Sequence, residues 1–153
     1  VWFREPYEAY ARALRDAGVD TNPDWVVECA DEGLDYGWEA ANALLRLPER
    51  PTAIFAASDE MAIGAILAAR DLGLDVPGDV SVIGYNDELI STLFYPELTT
   101  IRQPLEEIAA NSIELVRTIL SQEKFDRSRL AAIRRIIPPT LVERGSCAPP
   151  RAG

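Results

Sequence analysis

The feature that most limits the fold is a continuous apolar run, Thr52-Ala53-Ile54-Phe55-Ala56-Ala57, which follows Pro51 and leads straight into a helical pattern. A run of strand length that is apolar at every position, not at alternate ones, suits a parallel strand covered on both faces. Ser58 and Asp59 then open a helix, and Ala62, Ala65, Ile66 and Ala69 recur at helical spacing until Gly73 stops it. A second strand is expected over 80–85. Strand, helix and strand with short joints make a right-handed crossover, which builds an open parallel sheet flanked by helices. In such α/β sheets the ligand crevice lies at the carboxyl ends of the strands.

The rest of the chain extends this pattern. Tyr7, Tyr10, Leu14 and Ala17 mark a first helix over 7–17, with Pro6 at its start and Gly18 at its stop. An extended run is expected over 25–28, followed by the acidic turn Asp31-Glu32-Gly33 and a helix over 35–47 closed by Pro48. The strand ends are therefore Cys29, Ser58 and Asn86. After an extended segment over 98–103, Pro104 opens an amphipathic helix with the stripe Leu105, Ile108, Ala109, Ser112, Leu115, Val116 and Ile119, for which the chain offers no evident partner surface. Residues 122–130 read as a polar loop. A β-branched run over 133–137 is broken by Pro138 and Pro139, and the chain is expected to fray from Ala148.

Composition excludes several functions. With 153 residues, 48% of them hydrophobic, the chain can bury one core. Its 15 Lys and Arg against 25 Asp and Glu leave a net charge of −10, which repels a phosphate backbone, so this chain does not grip DNA by itself. There is no histidine, and Cys29 and Cys147 form no CxxC pair, so no zinc site is expected and the cysteines read as two thiols in a reducing cytosol. The missing histidines also remove the commonest general base. No Gly-rich phosphate loop is present, and Asp59 with Glu60, or Asp87 with Glu88, point apart as sequence neighbours. The expectation is a binding protein with no catalytic residues, metal or cofactor. No apolar run approaches the ~18 residues needed to span a bilayer.

Four stretches carry a family resemblance: PTAIFAASDEMAIGA at 51–65, VPGDVSVIGYND at 76–87, PELTTIRQP at 96–104 and LVERGS at 141–146. Together they resemble the effector domain of the lac repressor and gal repressor (LacI-type) family of transcription regulators, a periplasmic-binding-protein-like module of type I. The likeness runs from about Ala9 to Ser146 and covers the second half of that module. It implies two lobes that close over a small molecule. Residues 1–103 would form most of the C-terminal lobe, 104–121 a helix of the other lobe, 122–146 the return crossover and 147–153 a tail. The helix-turn-helix headpiece and most of the first lobe would lie outside this chain. The implied function is the effector-binding, dimerising part of a cytoplasmic regulator that contacts operator DNA only through that headpiece, with a sugar or sugar derivative as effector. A solute-binding receptor of an ABC transporter shares the architecture and is the alternative, although the stretches at 98–100 and 141–146 are more similar to regulators.

The resemblance also implies site residues. Ser58 stands where the family usually carries a cleft-facing asparagine; it either contacts ligand or caps the following helix. Asn86 stands where the family generally presents an aspartate to sugar hydroxyls, and Asp87 beside it is expected to hold the loop. Gln103 lies on a crossover whose matching residue often faces the cleft. Two departures count against a standard sugar pose. The arginine that opens the family's first helix is missing, the positions reading Pro6 and Ala9-Tyr10, and the loop Ala30-Asp31-Glu32-Gly33 lacks the usual stacking ring. Glu32 with Asp31 would either meet a cationic or metal-bound effector or form an acidic surface turn. Leu93, Phe94 and Tyr95 form an apolar loop cluster expected at a homodimer seam, with packing against the sheet as the alternative.

Overall fold

The structure is a computed structural model and describes residues 4–121 and 135–149. In chain order it contains α1 (Arg4–Asp16), α2 (Leu34–Leu45), β1 (Ala53–Phe55), α3 (Asp59–Asp71), β2 (Ser81–Asn86), β3 (Thr99–Arg102), α4 (Leu105–Leu120) and β4 (Thr140–Val142). One-turn 3-10 helices occupy Pro23–Trp25 and Leu89–Thr92. The strand order is β1-β2-β3-β4. Ala53 lies opposite Ser81, and Ile83 opposite Thr99, in two parallel ladders.

The open parallel sheet that the sequence leads one to expect is present in β1, β2 and β3, and β4 departs from it by running antiparallel to β3. The reason is where the chain returns. α4 leaves from the carboxyl end of β3, and Arg135 lies beside α4, bonded to Asn111 and Glu114 at 2.6 Å. A segment returning from there enters the sheet at the carboxyl end of β3, pairs Thr140 with Arg102, and must run backwards to pair Val142 with Thr100.

The core is built around α3. Small residues let this helix pack closely on both sides, and Ala62, Ile63, Ile66, Ala68 and Ala69 are fully buried against α2 and the sheet, together with Val82 and Leu98. α2 and α3 cross at two glycines. A Cβ on Gly64 would lie 2.1 Å from the Leu34 carbonyl oxygen, and one on Gly37 would lie 2.2 Å from that of Met61. Two backbones can approach this closely only where neither carries a side chain. Gly73 closes α3 with φ +73°.

At the amino-terminal ends of β2 and β3 the sheet is closed by residues 145–148. The buried Ser146 hydroxyl accepts from the Thr99 N–H at 2.8 Å and donates to the Val82 carbonyl at 2.6 Å. Ala148 was expected to begin a frayed end; instead its N–H donates to Ser81 Oγ at 3.0 Å, which anchors it to β2.

The expected extended run over 25–28 is not a strand. Its first residue ends a 3-10 turn capped by Asn22, and Val26 has extended backbone (φ −118°, ψ 120°) but belongs to no ladder. A strand needs a partner, and among the described residues β1 pairs only with β2. Val26, Val27 and Phe55 are consequently exposed. α1 keeps Tyr10 and Leu14 half-buried, and α4 buries no residue at all, with Leu105 64% and Leu120 78% exposed. Residues 122–134, which hold the polar loop and the start of the β-branched run, lie outside the described residues.

The glycine crossing makes a direct prediction. Gly64→Ala should lower the unfolding free energy by roughly 1–3 kcal/mol, read in urea denaturation, because the backbones of α2 and α3 must separate to admit a methyl group.

Candidate functional site

The carboxyl ends of β2 and β3 are held by one buried carboxylate. Asp59, the first residue of α3, is fully buried. Its Oδ1 accepts from the Thr100 hydroxyl at 2.5 Å, and its Oδ2 from the Glu88 N–H at 2.6 Å. The open helix N-terminus also favours negative charge at this position. Space for the carboxylate comes from Gly84 in β2, where a Cβ would sit 2.3 Å from Asp59 Oδ1. Asp59 thereby ties α3 to β3 and to the loop that follows β2.

That loop is held in a rare conformation. Asn86 and Asp87 have φ of 112° and 59°, values that non-glycine residues adopt only under constraint. The constraint comes from the Asp87 carboxylate, whose side chain is 7% exposed. Arg144 Nη2 lies 2.6 Å from Oδ1, and Arg102 Nε lies 2.5 Å from Oδ2. Arg144 also donates to the Leu98 carbonyl at 2.7 Å and to Ser91 Oγ at 3.0 Å, so one guanidinium joins the loop to β3 and to the stretch after β4. Burial alone would raise the Asp87 pKa. The hydrogen bonds and charges of Arg144 and Arg102 outweigh it and hold the carboxyl below its ordinary 3.8.

On this frame Asn86 and Gln103 meet. Gln103 Nε2 donates to Asn86 Oδ1 at 2.6 Å, and Asn86 Nδ2 donates to Glu88 Oε1 at a long 3.4 Å. Ser58 is 5% exposed and caps α3, its Oγ accepting from the Met61 N–H at 3.3 Å. Glu32 is exposed, and its N–H donates to Asp31 Oδ1 at 2.9 Å; no hydrogen bond among the described residues joins it to Asn86 or Gln103. On the loop after the second 3-10 turn, Leu93 and Tyr95 are 69% and 84% exposed, whereas Phe94 is half-buried against the core. Arg70 donates to the Tyr95 carbonyl.

Both cysteines are free; burial, aided by the charge of Glu39, pushes the Cys29 thiol up. Among the described residues no group of His, Cys, Asp or Glu could hold a metal, and no helix is long and apolar enough to cross a membrane. The side chains gathered at the strand ends are two amides and a carboxylate, which can donate and accept hydrogen bonds. The sequence marks Asp59 only as a helix opener; its anchoring role, and those of Thr100 and Arg144, have no local signature. Gly84 inside a strand was the available signal, since a strand glycine often marks a close approach.

Comparison with known proteins agrees with this architecture. The profile of the periplasmic binding protein-like domain matches residues 1–147. Catabolite control protein A of Priestia megaterium is 39% identical over 129 residues, covering 84% of this chain and 39% of that protein. The HTH-type transcriptional repressor PurR of Pectobacterium carotovorum is 37% identical over 142 residues, covering 93% of this chain and 40% of the repressor. Among solved structures, a LacI family regulator from Mycobacterium smegmatis superposes with a TM-score of 0.77 at 32% identity, covering 95% of this chain and 52% of that one. The transcriptional regulator CelR in complex with cellobiose gives 0.76 at 31% identity, covering 90% and 40%. The chain therefore belongs to the periplasmic binding protein-like domain family, in the form found in LacI-type transcription regulators. It spans about two fifths of the length of the curated relatives it matches.

The Asp87 ion pairs set a pH dependence. A carboxyl with a lowered pKa in the folded state adds stability above the unfolded pKa and loses it as pH falls through the folded value. Asp87→Asn should cost roughly 3 kcal/mol at pH 7, because it leaves Arg144 without its counter-charge. The variant should also lose less stability than the wild type when the pH is lowered below about 4 in denaturation series.

Proposed function

We propose that this chain is the effector-binding, dimerising part of a LacI-type transcription regulator, which controls operator binding by a helix-turn-helix outside the chain in response to a sugar or sugar derivative. The observation that carries this reading is the Asn86–Gln103 amide pair. It stands at the strand ends, where open α/β sheets bind ligands, and it rests on a loop held in positive φ by Asp59 and Asp87. Strain of that kind is kept where a side chain must be presented in one direction. Two amides suit a ligand rich in hydroxyl groups, and CelR, a structural neighbour, was solved with cellobiose.

Ser58 adds a second-strand contact through its hydroxyl proton, which the helix cap leaves unused. Glu32 would join only when the cleft closes. Effector binding changes the relative stability of two arrangements of the dimer, and that difference is what alters operator affinity; no bond in the effector is broken. The exposed Leu93 and Tyr95 form the homodimer seam, with Phe94 fastening the loop to the core beneath them. The regulator works in the cytoplasm, where its operator is, and has no membrane partner.

The test is operator binding by the full-length protein with and without a panel of neutral sugars. At least one should change the operator affinity. Asn86→Ala and Gln103→Ala should each weaken that sugar about tenfold while operator affinity without sugar stays the same. Operator binding indifferent to every small molecule would contradict the reading, and sedimentation of the full-length protein as a monomer at micromolar concentration would contradict the seam.

A further inference from the structure

The Asn86 side chain is an amide, so it brings no negative charge to the site. A carboxylate nevertheless stands next to it. Glu88 Oε1 accepts from Asn86 Nδ2 at 3.4 Å, while Asn86 Oδ1 accepts from Gln103 Nε2 at 2.6 Å. Glu88, Asn86 and Gln103 thus form one row of polar side chains across the ends of β2 and β3. Resting on the effector-site reading above, we propose that Glu88 is an effector-binding residue, which supplies from two positions further on the anionic acceptor that Asn86 lacks and so selects an effector with hydroxyl donors and no negative charge.

The backbone of Glu88 is fixed while its side chain is not. Its N–H donates to the buried Asp59 carboxylate at 2.6 Å, and its carbonyl accepts from the Ser91 N–H at 2.9 Å. The residue occupies the N-cap position of the Leu89–Thr92 turn, but its side chain makes no capping bond there. The exposed carboxylate therefore does nothing for the local fold except accept one long hydrogen bond, which costs little to exchange for a ligand hydroxyl. Glu88 has a backbone pinned by the Asp59 carboxylate and a side-chain amide partner in Asn86.

The surrounding charges agree with a neutral ligand. Arg102, at the end of β3, and Arg144, in the stretch after β4, both direct their guanidinium groups at Asp87. A phosphate or carboxylate brought beside Asn86 would meet the charge of Glu88, and like charges brought together in a binding site are strongly disfavoured. A hydroxyl instead finds an ionised acceptor, which forms a stronger hydrogen bond than a neutral one.

The experiment is calorimetric titration of the full-length regulator and its Glu88→Gln variant with glucose, galactose, ribose, cellobiose and glucose 6-phosphate. The wild type should bind at least one neutral sugar and bind glucose 6-phosphate more weakly than that sugar. E88Q should weaken the neutral sugar about tenfold, with the ligand-free melting temperature unchanged because the side chain is exposed. Equal sugar affinity in E88Q and wild type, or tighter binding of glucose 6-phosphate than of any neutral sugar, overturns the role of Glu88 and leaves the regulator reading standing. No binding of any of the five overturns the role of Glu88 and, with an operator affinity that no small molecule alters, the regulator reading as well.

Discussion

The buried carboxylate of Asp59 is the contact on which the carboxyl ends of β2 and β3 depend. Its two oxygens receive the Thr100 hydroxyl from β3 and the Glu88 N–H from the loop after β2, and it belongs to the first turn of α3. A charge taken wholly out of water is tolerated only when each of its oxygens is bonded, and here each one is. The bonds to it come from β3 and from the loop after β2, so the helix, the strand and the loop hold their positions together. Gly84 is the corresponding absence in β2: any side chain there would fill the space that the carboxylate needs. Asp87 repeats the same device nearer the surface with Arg144 and Arg102, and between the two anchors the chain can keep Asn86 at φ 112°.

Away from this end the molecule is one-sided. α3 is enclosed by α2 and by β1 and β2, with alanines and glycines allowing the close approach. The outer edge of β1, the extended residues after Trp25 and the whole of α4 leave apolar side chains in contact with water. Exposed apolar surface of that extent is uncommon in a self-contained domain. It accords with a chain that matches about two fifths of the length of its curated relatives.

What could be read in the sequence follows from the range of the interactions involved. The continuous apolar run over 52–57 identified β1, and the alanine stripe with Ser58 before it and Gly73 after it identified α3, because these signals are local. The run over 25–28 has the residues of a strand, but a ladder also needs a neighbour, and periodicity carries no information about whether one is present. β4 was missed for the opposite reason: three residues, two of them exposed, form a strand only because the chain re-enters the sheet beside β3. The family likeness pointed to Asn86 and Gln103, and the fold joins the two by a hydrogen bond. Asp59 and Arg144 act across separations of 41 and 57 residues, which no local pattern could reveal. Of the two readings the sequence leaves open for Ser58, the structure contains the cap, with Ser58 Oγ accepting from the Met61 N–H.

The central claim is that the amide pair at the ends of β2 and β3 is where the effector binds. The most direct measurement is a crystal structure of the full-length regulator with the sugar that alters its operator affinity. The account predicts sugar hydroxyls within about 3 Å of the Asn86 and Gln103 side-chain amides, with Asp59 and Asp87 keeping their present partners. A sugar bound elsewhere, with the Asn86–Gln103 hydrogen bond still closed and neither amide touching it, would contradict the account.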